Sequence, residues 1–290
     1  MNSFIDGTTR SICLLGYPVE HSISPLFQNY ALRSLKLPFV YIPLSVSPQS
    51  LHNAVYMLRS NSFAGANVTI PHKESVLKYC DKISQLSART KTVNTLYFND
   101  GRLLGTTTDS EGFFRSLQYA GHKSNDDTIV ILGNGGTART LACAIALEKC
   151  CKRLSLAGRS FEKVSRLANS VSDETGFSID AYSLSDPAFK NVLSECTLLV
   201  NCTSVGMYPN VDNSPLDKSC FHSGMTVFDC IYNPRKTLFL SDAESAGCRI
   251  INGLGMLLFQ GLASFKLWTG KEVPEHLFDL DELQELVSNS

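Results

Sequence analysis

The sequence predicts an α/β protein built on two mostly parallel sheets, and three observations carry that expectation. Short apolar, β-branched runs alternate with helical patterns along almost the whole chain. The alternation restarts once, after a polar stretch HKSNDD at 122–127. The 290 residues, with 43% hydrophobic content, are enough to bury two cores.

The elements follow in order. SICLLG (11–16) reads as the first strand, followed by a helix near SPLFQNYALRSLK. PFVYIPLSV gives a second strand and PQSLHNAVYMLRS a second helix. GANVTI (65–70) gives a third strand, ended by Pro71, which has no backbone donor, and a helix is expected after that proline. TKTVNTLYFNDGRLLGTTTD reads as a hairpin around Asn99–Gly101, where asparagine, aspartate and glycine tolerate positive φ. On this reading Asn94 lies on a strand and Asp109 ends one. TIVILG (128–133) opens a second α/β unit, and RLSLAGRS, TLLVNCTSVG and MTVFDCIYNP supply its later strands. The stretch GLGMLLFQGLASFKLWTG is a helix apolar on several faces, expected between layers and returning to the first domain. The division expected is 1–112 plus 254–290 for a discontinuous first domain and 113–253 for the second, with the boundary inside a helix near 111–121.

Charge and cysteine usage narrow the class. Charged residues make up 18% and the formal net charge is −1, so neither a basic surface for nucleic acid nor a charged tail is expected. No apolar run approaches a membrane span, and MNSFIDGTTRS lacks the pattern of a secretion signal. The ten cysteines are scattered through apolar segments without a CxxC pair, which argues against zinc and for a reducing compartment. Cys150 and Cys151 read as packing at a helix end. The expected protein is cytoplasmic, a monomer or homodimer, and binds a small molecule.

VILGNGGTARTLACAIALEK has the order strand, glycine-rich turn, helix. Gly133, Gly135 and Ala138 fall at the three positions of the dinucleotide fingerprint. Gly133 makes the tight turn, and Gly135 and Gly136 leave room for a pyrophosphate at the helix amides. The tip of the next strand, AGRSFEK, carries Arg159, Ser160 and Lys163 and no acid. An acidic residue there would accept from a ribose 2′-hydroxyl, whereas cations suit a 2′-phosphate, so NADP is the expected cofactor. The alternative for Arg159 and Lys163 is that of ordinary surface cations at a helix start.

Polar groups recur at strand ends: Ser22 and Ser24 in EHSISP, Asn94 in TVNT, Asp109 in GTTTD, Gln260 in GLGMLLFQG and Lys73 in NVTIPHK. Each alone has a local explanation as a cap, a turn residue, a buried amide or a solvated cation. As a set of hydroxyls, amides, a cation and a carboxylate, they suit a small polyhydroxylated carboxylate. The chain resembles the shikimate dehydrogenase family from LLGYPVEHSISP to KLWTGKEVPEH, through HSISP, NVTIPHK, TVNT, TD before glycine, the glycine turn, NCTSVGM, YNP and GLGMLLFQG.

The resemblance implies a substrate domain and a Rossmann-like NADP domain separated by a cleft. It implies the reversible reduction of 3-dehydroshikimate to shikimate, a step of aromatic amino-acid (chorismate) biosynthesis. By position it places Ser22, Ser24, Thr69, Asn94, Asp109, Tyr232 and Gln260 on the substrate, with Lys73 and Asp109 as the catalytic pair. It places Gly133, Asn134, Gly135, Gly136, Thr137, Gly158, Arg159, Ser160, Lys163, Thr203, Cys230 and Gly253 on the cofactor. Thr107 stands in a slot where the family usually has asparagine, Gly158 where it usually has asparagine, and Asn134 where alanine is common. The rival readings are a quinate/shikimate dehydrogenase using NAD as well as NADP, and a non-catalytic NADP-binding module.

The chemistry explains the residue types. Hydride addition to a ring ketone puts charge on oxygen, which must then be protonated. An ammonium beside that oxygen both stabilises the charge and donates. A carboxylate beside the ammonium orients it.

Overall fold

The computed structural model describes residues 5–123 and 126–288. The first residues of MNSFIDGTTRS, the Ser124–Asn125 part of the polar stretch and the end of the 254–290 segment lie outside the described residues. The chain divides into two compact units, Met1–Gly112 with Leu257–Leu283, and Phe113–Met256 with Gln284–Asn289.

The first unit holds β1 (Arg10–Gly16), α1 (Ser24–Ser34), β2 (Phe39–Ser45), α2 (Leu51–Leu58), β3 (Phe63–Val68), β4 (Lys82–Ile83), α3 (Gln85–Thr90), β5 (Thr95–Asn99) and β6 (Arg102–Thr106). Its sheet runs β2-β1-β3-β5-β6-β4. β1 pairs in parallel with β2 and β3, while β3–β5 and β5–β6 are antiparallel. Alternate residues of β1 feed two cores: Ile12 and Leu14 pack with Leu32, Phe265 and Trp268, and Cys13 and Leu15 with Val55, Leu58 and Val68. The hairpin turn is Asp100–Gly101, with φ of 50° and 74°, as the asparagine–aspartate–glycine run predicts.

The chain passes to the second unit within α4 (Asp109–Tyr119). Then follow β7 (Asp127–Leu132), α5 (Gly136–Glu148), β8 (Cys151–Gly158), α6 (Phe161–Thr175), β9 (Ile179–Ser183), α7 (Pro187–Ser194), β10 (Leu198–Asn201), β11 (Thr226–Asp229), α8 (Leu238–Ser245) and β12 (Arg249–Ile251). The sheet order is β12-β11-β10-β7-β8-β9, with every pairing parallel. That is the doubly wound order of dinucleotide-binding sheets, and its switch point falls between β7 and β10.

The chain returns to the first unit within α9 (Leu254–Thr269) and closes with α10 (Leu280–Ser288). Phe265 and Trp268 of α9 are buried, and Trp268 donates to the Leu96 carbonyl at 2.8 Å. Gln28 of α1 donates to the Gly261 carbonyl at 2.8 Å, at a point where a Cβ on Gly261 would lie 2.6 Å from the Phe27 ring.

Three local expectations need correction. No α-helix follows Pro71; turns lead to a short 3-10 turn at Leu77–Tyr79. The Lys73 carbonyl accepts from Val93 N at 2.8 Å, in the segment ahead of β5, and does not start a helical ladder. Asp109 does not end a strand: β6 stops at Thr106 and Asp109 opens α4, while Asn94 lies one residue ahead of β5. Cys151 opens β8 and does not end a helix. None of the ten cysteines is in a disulfide, and no helix among the described residues is long and apolar enough to cross a membrane.

Candidate active site

The hairpin brings two of the expected residues together. Asn94 precedes β5, Asp109 follows β6, and the pairing of Thr95 with Thr106 puts the two ends side by side. Asn94 Nδ2 donates to Asp109 Oδ1 at 2.7 Å and reaches Gln260 Oε1 at 3.0 Å. From the turns that follow β3, Lys73 Nζ donates to Asp109 Oδ2 at 2.7 Å. The Lys73 side chain is 20% exposed and that of Asp109 6%, so the amine keeps access to a ligand while its partner is nearly enclosed. Asp109 opens α4, where the unpaired amides of the first turn favour an anion.

Of the remaining substrate expectations, Ser22, Ser24 and Thr69 belong to the first unit and Tyr232 to the second. Ser24 is buried at the start of α1, and Ser22 accepts from its backbone amide at 3.3 Å. Thr69 follows β3, its amide bonded to the Leu15 carbonyl at 2.9 Å. Tyr232 belongs to the second unit, after β11; burial raises the pKa of its hydroxyl. The Thr107 hydroxyl is buried with no hydrogen-bond partner among the described residues.

Five residues of this site escaped the sequence reading: Thr108, Thr95, Ser264, Asn67 and Tyr41. Thr108 N donates to Asn94 Oδ1 at 2.9 Å and its hydroxyl to the Gln260 carbonyl at 2.9 Å. The amide N–H can only donate, so it fixes Asn94 with its oxygen toward Thr108 and its nitrogen toward Asp109. A signal for Ser264 was available, since it lies four residues after Gln260 on one helical face.

In the second unit, Gly133 has φ of 115° and its amide bonds to the Ala157 carbonyl at 2.8 Å. A Cβ there would come within 3.2 Å of the Cys202 backbone, so only glycine fits both the conformation and the approach. Gly135 caps α5, and a Cβ on it would meet nothing within 4 Å; the first turn of α5 carries no acid. Asn134 is exposed, and Gly136 and Thr137 are half-buried. Gly158 ends β8, where a Cβ would crowd Val164 at 2.7 Å. Arg159, Ser160 and Lys163 are exposed, and the Ser160 side chain caps α6 by accepting from Lys163 N.

Three strand ends complete this edge. Asp229, fully buried, accepts from Asn201 Nδ2 at 3.0 Å, from Ile231 N at 3.0 Å and from the Thr237 hydroxyl at 2.7 Å. Asn201 in turn accepts from the Thr203 amide and hydroxyl at 2.9 and 2.7 Å. Burial pushes the Asp229 carboxyl up to about 6 against these donors. Cys202 and Cys230 bring their sulfurs within 3.7 Å, and a Cβ on Gly253 would lie 2.2 Å from the Cys230 carbonyl oxygen.

A doubly wound sheet with a bare glycine turn, and a second sheet presenting a lysine–carboxylate pair, define an oxidoreductase of the dinucleotide-dependent class. Residues 14–96 match the shikimate dehydrogenase substrate binding domain and residues 253–278 the shikimate 5′-dehydrogenase C-terminal domain. A shikimate dehydrogenase (NADP(+)) of Moorella thermoacetica is 41% identical over 275 residues, covering 95% of this chain and 93% of the relative. The crystal structure of shikimate 5-dehydrogenase from Listeria monocytogenes, in complex with shikimate and NAD, has 31% identity, a TM-score of 0.89 and 99% coverage of both chains. The Thermus thermophilus enzyme, in complex with NADP(H) and shikimate, has 31% identity and a TM-score of 0.83, covering 97% of this chain and 99% of its own. The chain belongs to the shikimate dehydrogenase family.

Proposed function

We propose that this chain interconverts 3-dehydroshikimate and shikimate with NADP as redox partner, and that Lys73 and Asp109 handle the proton. The observation that carries the reading is the 2.7 Å contact between Lys73 Nζ and Asp109 Oδ2, with the amine still partly exposed.

When bound, NADPH supplies the hydride. Lys73 places its ammonium beside the oxygen that gains charge, stabilises it and donates the proton. Asp109 orients Lys73 with one oxygen and is held by Asn94 through the other, leaving lone pairs to accept from a substrate hydroxyl. Ser22 and Ser24 donate to the substrate carboxylate, and Thr69, Asn94, Tyr232 and Gln260 bind the ring hydroxyls.

The residues of the second unit fit the cofactor. The space above Gly135 and the N-terminal amides of α5 suit a pyrophosphate, held by Gly133, Asn134, Gly135, Gly136 and Thr137. Gly158, Arg159, Ser160 and Lys163 would take the adenosine 2′-phosphate, and Thr203, Cys230 and Gly253 the nicotinamide side. Substrate binding is thus assigned to 1–112 plus 254–290 and cofactor binding to 113–253, in a cytoplasmic monomer or homodimer.

The test is an assay at the nicotinamide absorbance band, with shikimate and quinate each tried against NADP and NAD. Turnover of shikimate with NADP is expected to exceed the other three combinations. Comparable turnover of quinate, or with NAD, would replace the reading with that of a dual-specificity enzyme. No turnover with any pair would replace it with that of a binding module.

A further inference from the structure

We propose that Tyr41 is a positioning residue for this reaction, because its buried hydroxyl heads a one-way chain of hydrogen bonds that ends on the carboxylate of Asp109. The inference rests on Lys73 and Asp109 being the catalytic pair.

Groups that can play only one role fix the two ends of the chain, and the link between the Thr95 and Ser264 hydroxyls takes its direction from its neighbours. As a carboxylate, Asp109 accepts, so Asn94 turns Nδ2 toward it at 2.7 Å and Oδ1 toward the Thr95 hydroxyl at 2.8 Å. Having donated its one proton, Thr95 must accept from Ser264, whose Oγ lies 2.7 Å away. Ser264 Oγ also lies 3.0 Å from the Gln260 carbonyl, which receives the Thr108 hydroxyl at 2.9 Å and has a second lone pair that competes for the Ser264 proton. We place the Ser264 proton on the shorter of these contacts, the 2.7 Å one to Thr95. Ser264 then accepts from Asn67 Nδ2 at 3.0 Å, and the orientation of that amide is fixed because Nδ2 also reaches the Asn94 carbonyl at 3.1 Å. Asn67 Oδ1 therefore faces the Tyr41 hydroxyl, which donates at 2.9 Å.

No member of the chain is more than 5% exposed. In so dry a setting each donor polarises the next, and the last strengthens the hold of Asn94 on Asp109. Burial keeps the Tyr41 hydroxyl protonated, hence a donor, across the working pH range. The Ser24 side chain lies near enough to that hydroxyl to oppose part of this effect of burial. The chain thus runs through the interior of the first unit, from a tyrosine near Ser24 to the group that orients the proton donor.

The test is a set of kcat and KM measurements on Tyr41→Phe, Thr95→Val and the double variant, with thermal unfolding of each. Tyr41→Phe keeps the ring and removes only the head donor; kcat is expected to fall about 3- to 10-fold with KM within about twofold of the parent. Thr95→Val, which cuts the chain beside Asn94, should cost more, and Thr95→Ser should restore most of the loss. Adding Tyr41→Phe to Thr95→Val should then cost nothing further, since the chain is already cut. A normal kcat for Tyr41→Phe, or losses that multiply in the double variant, overturns the proposal. If Thr95→Val does not fold, Ser264→Ala cuts the next link and serves in its place. Lys73→Ala is measured alongside: if it keeps its kcat, the catalytic pair is misassigned and the inference falls with it. If Lys73→Ala is inactive while Tyr41→Phe is normal, only the inference fails.

Discussion

In the first unit the polar side chains of the candidate site are held by other side chains, whereas the glycine turn and cationic strand tip of the second unit offer bare backbone and exposed cations. Asn94, Asp109, Gln260 and Lys73 are joined by contacts of 2.7–3.0 Å. At the glycine turn, Gly135 has no neighbour for a Cβ within 4 Å, and the cations Arg159 and Lys163 are exposed. The difference suits what each part is proposed to recognise. A small polyol whose one carbon must react needs donors fixed before it arrives. A long dinucleotide presents phosphates that any correctly aimed amide can bind, so room and backbone direction suffice. Defects in the first unit should therefore appear in kcat, and defects in the second in cofactor affinity.

The largest expected effect is that of Lys73→Ala, which should lower kcat by about 10²–10⁴-fold while substrate still binds. Steady-state kinetics with a separate shikimate-binding titration checks it. A loss confined to NADP affinity would erase the contrast between the units. Next is Gly253→Ala, whose Cβ would lie 2.2 Å from the Cys230 carbonyl oxygen and must push that loop aside. We expect a loss of about 1–3 kcal/mol in urea unfolding and weaker NADPH binding by fluorescence titration, with little change in shikimate affinity. Arg159→Ala should then lower the ratio of kcat/KM for NADPH over NADH by about tenfold, the loss of one charge-assisted bond. An unchanged ratio would remove Arg159 from cofactor selection.

The smallest effect concerns Asp229. Its folded-state carboxyl is pushed up to about 6 from 3.8, so between those values the folded state binds more protons than the unfolded one. Its contribution to stability therefore rises as pH falls from about 6 toward 3.8 and declines as pH rises through that window. The melting temperature of the parent relative to Asp229→Asn should increase on acidification across this range. A difference that does not vary with pH would show that Asp229 titrates as an ordinary carboxylate.

Much of the second unit was legible in the sequence because its signals are local. A β-branched run, a glycine turn and a helix are contiguous, and the positive φ of Gly133 is a property of one residue. The first unit was legible in its motifs but not in its wiring. NVTIPHK drew attention to Lys73, yet the helix expected behind it is absent because Val93, distant in sequence, takes the Lys73 carbonyl. Asn94 and Asp109 were identified as residues but misplaced by a position or an element, since strand ends depend on pairing that a linear pattern does not contain. Thr95, Ser264, Asn67 and Tyr41 come from β5, α9, β3 and β2, and only the tertiary fold makes them neighbours. No periodicity marks a hydroxyl as buried for the sake of another residue's amide.

The β5–β6 hairpin has an evolutionary consequence. Its closed end, Asp100–Gly101, is exposed, and a Cβ on Gly101 would meet nothing within 4 Å. Its open end carries Asn94 and Asp109. Lengthening the tip leaves both arms in register, so that corner is free to drift or to accept a grafted peptide. A single residue inserted within either arm would instead rotate Asn94 or Asp109 to the wrong face. Variation should therefore be permissive at one end of the ribbon and forbidden along its sides.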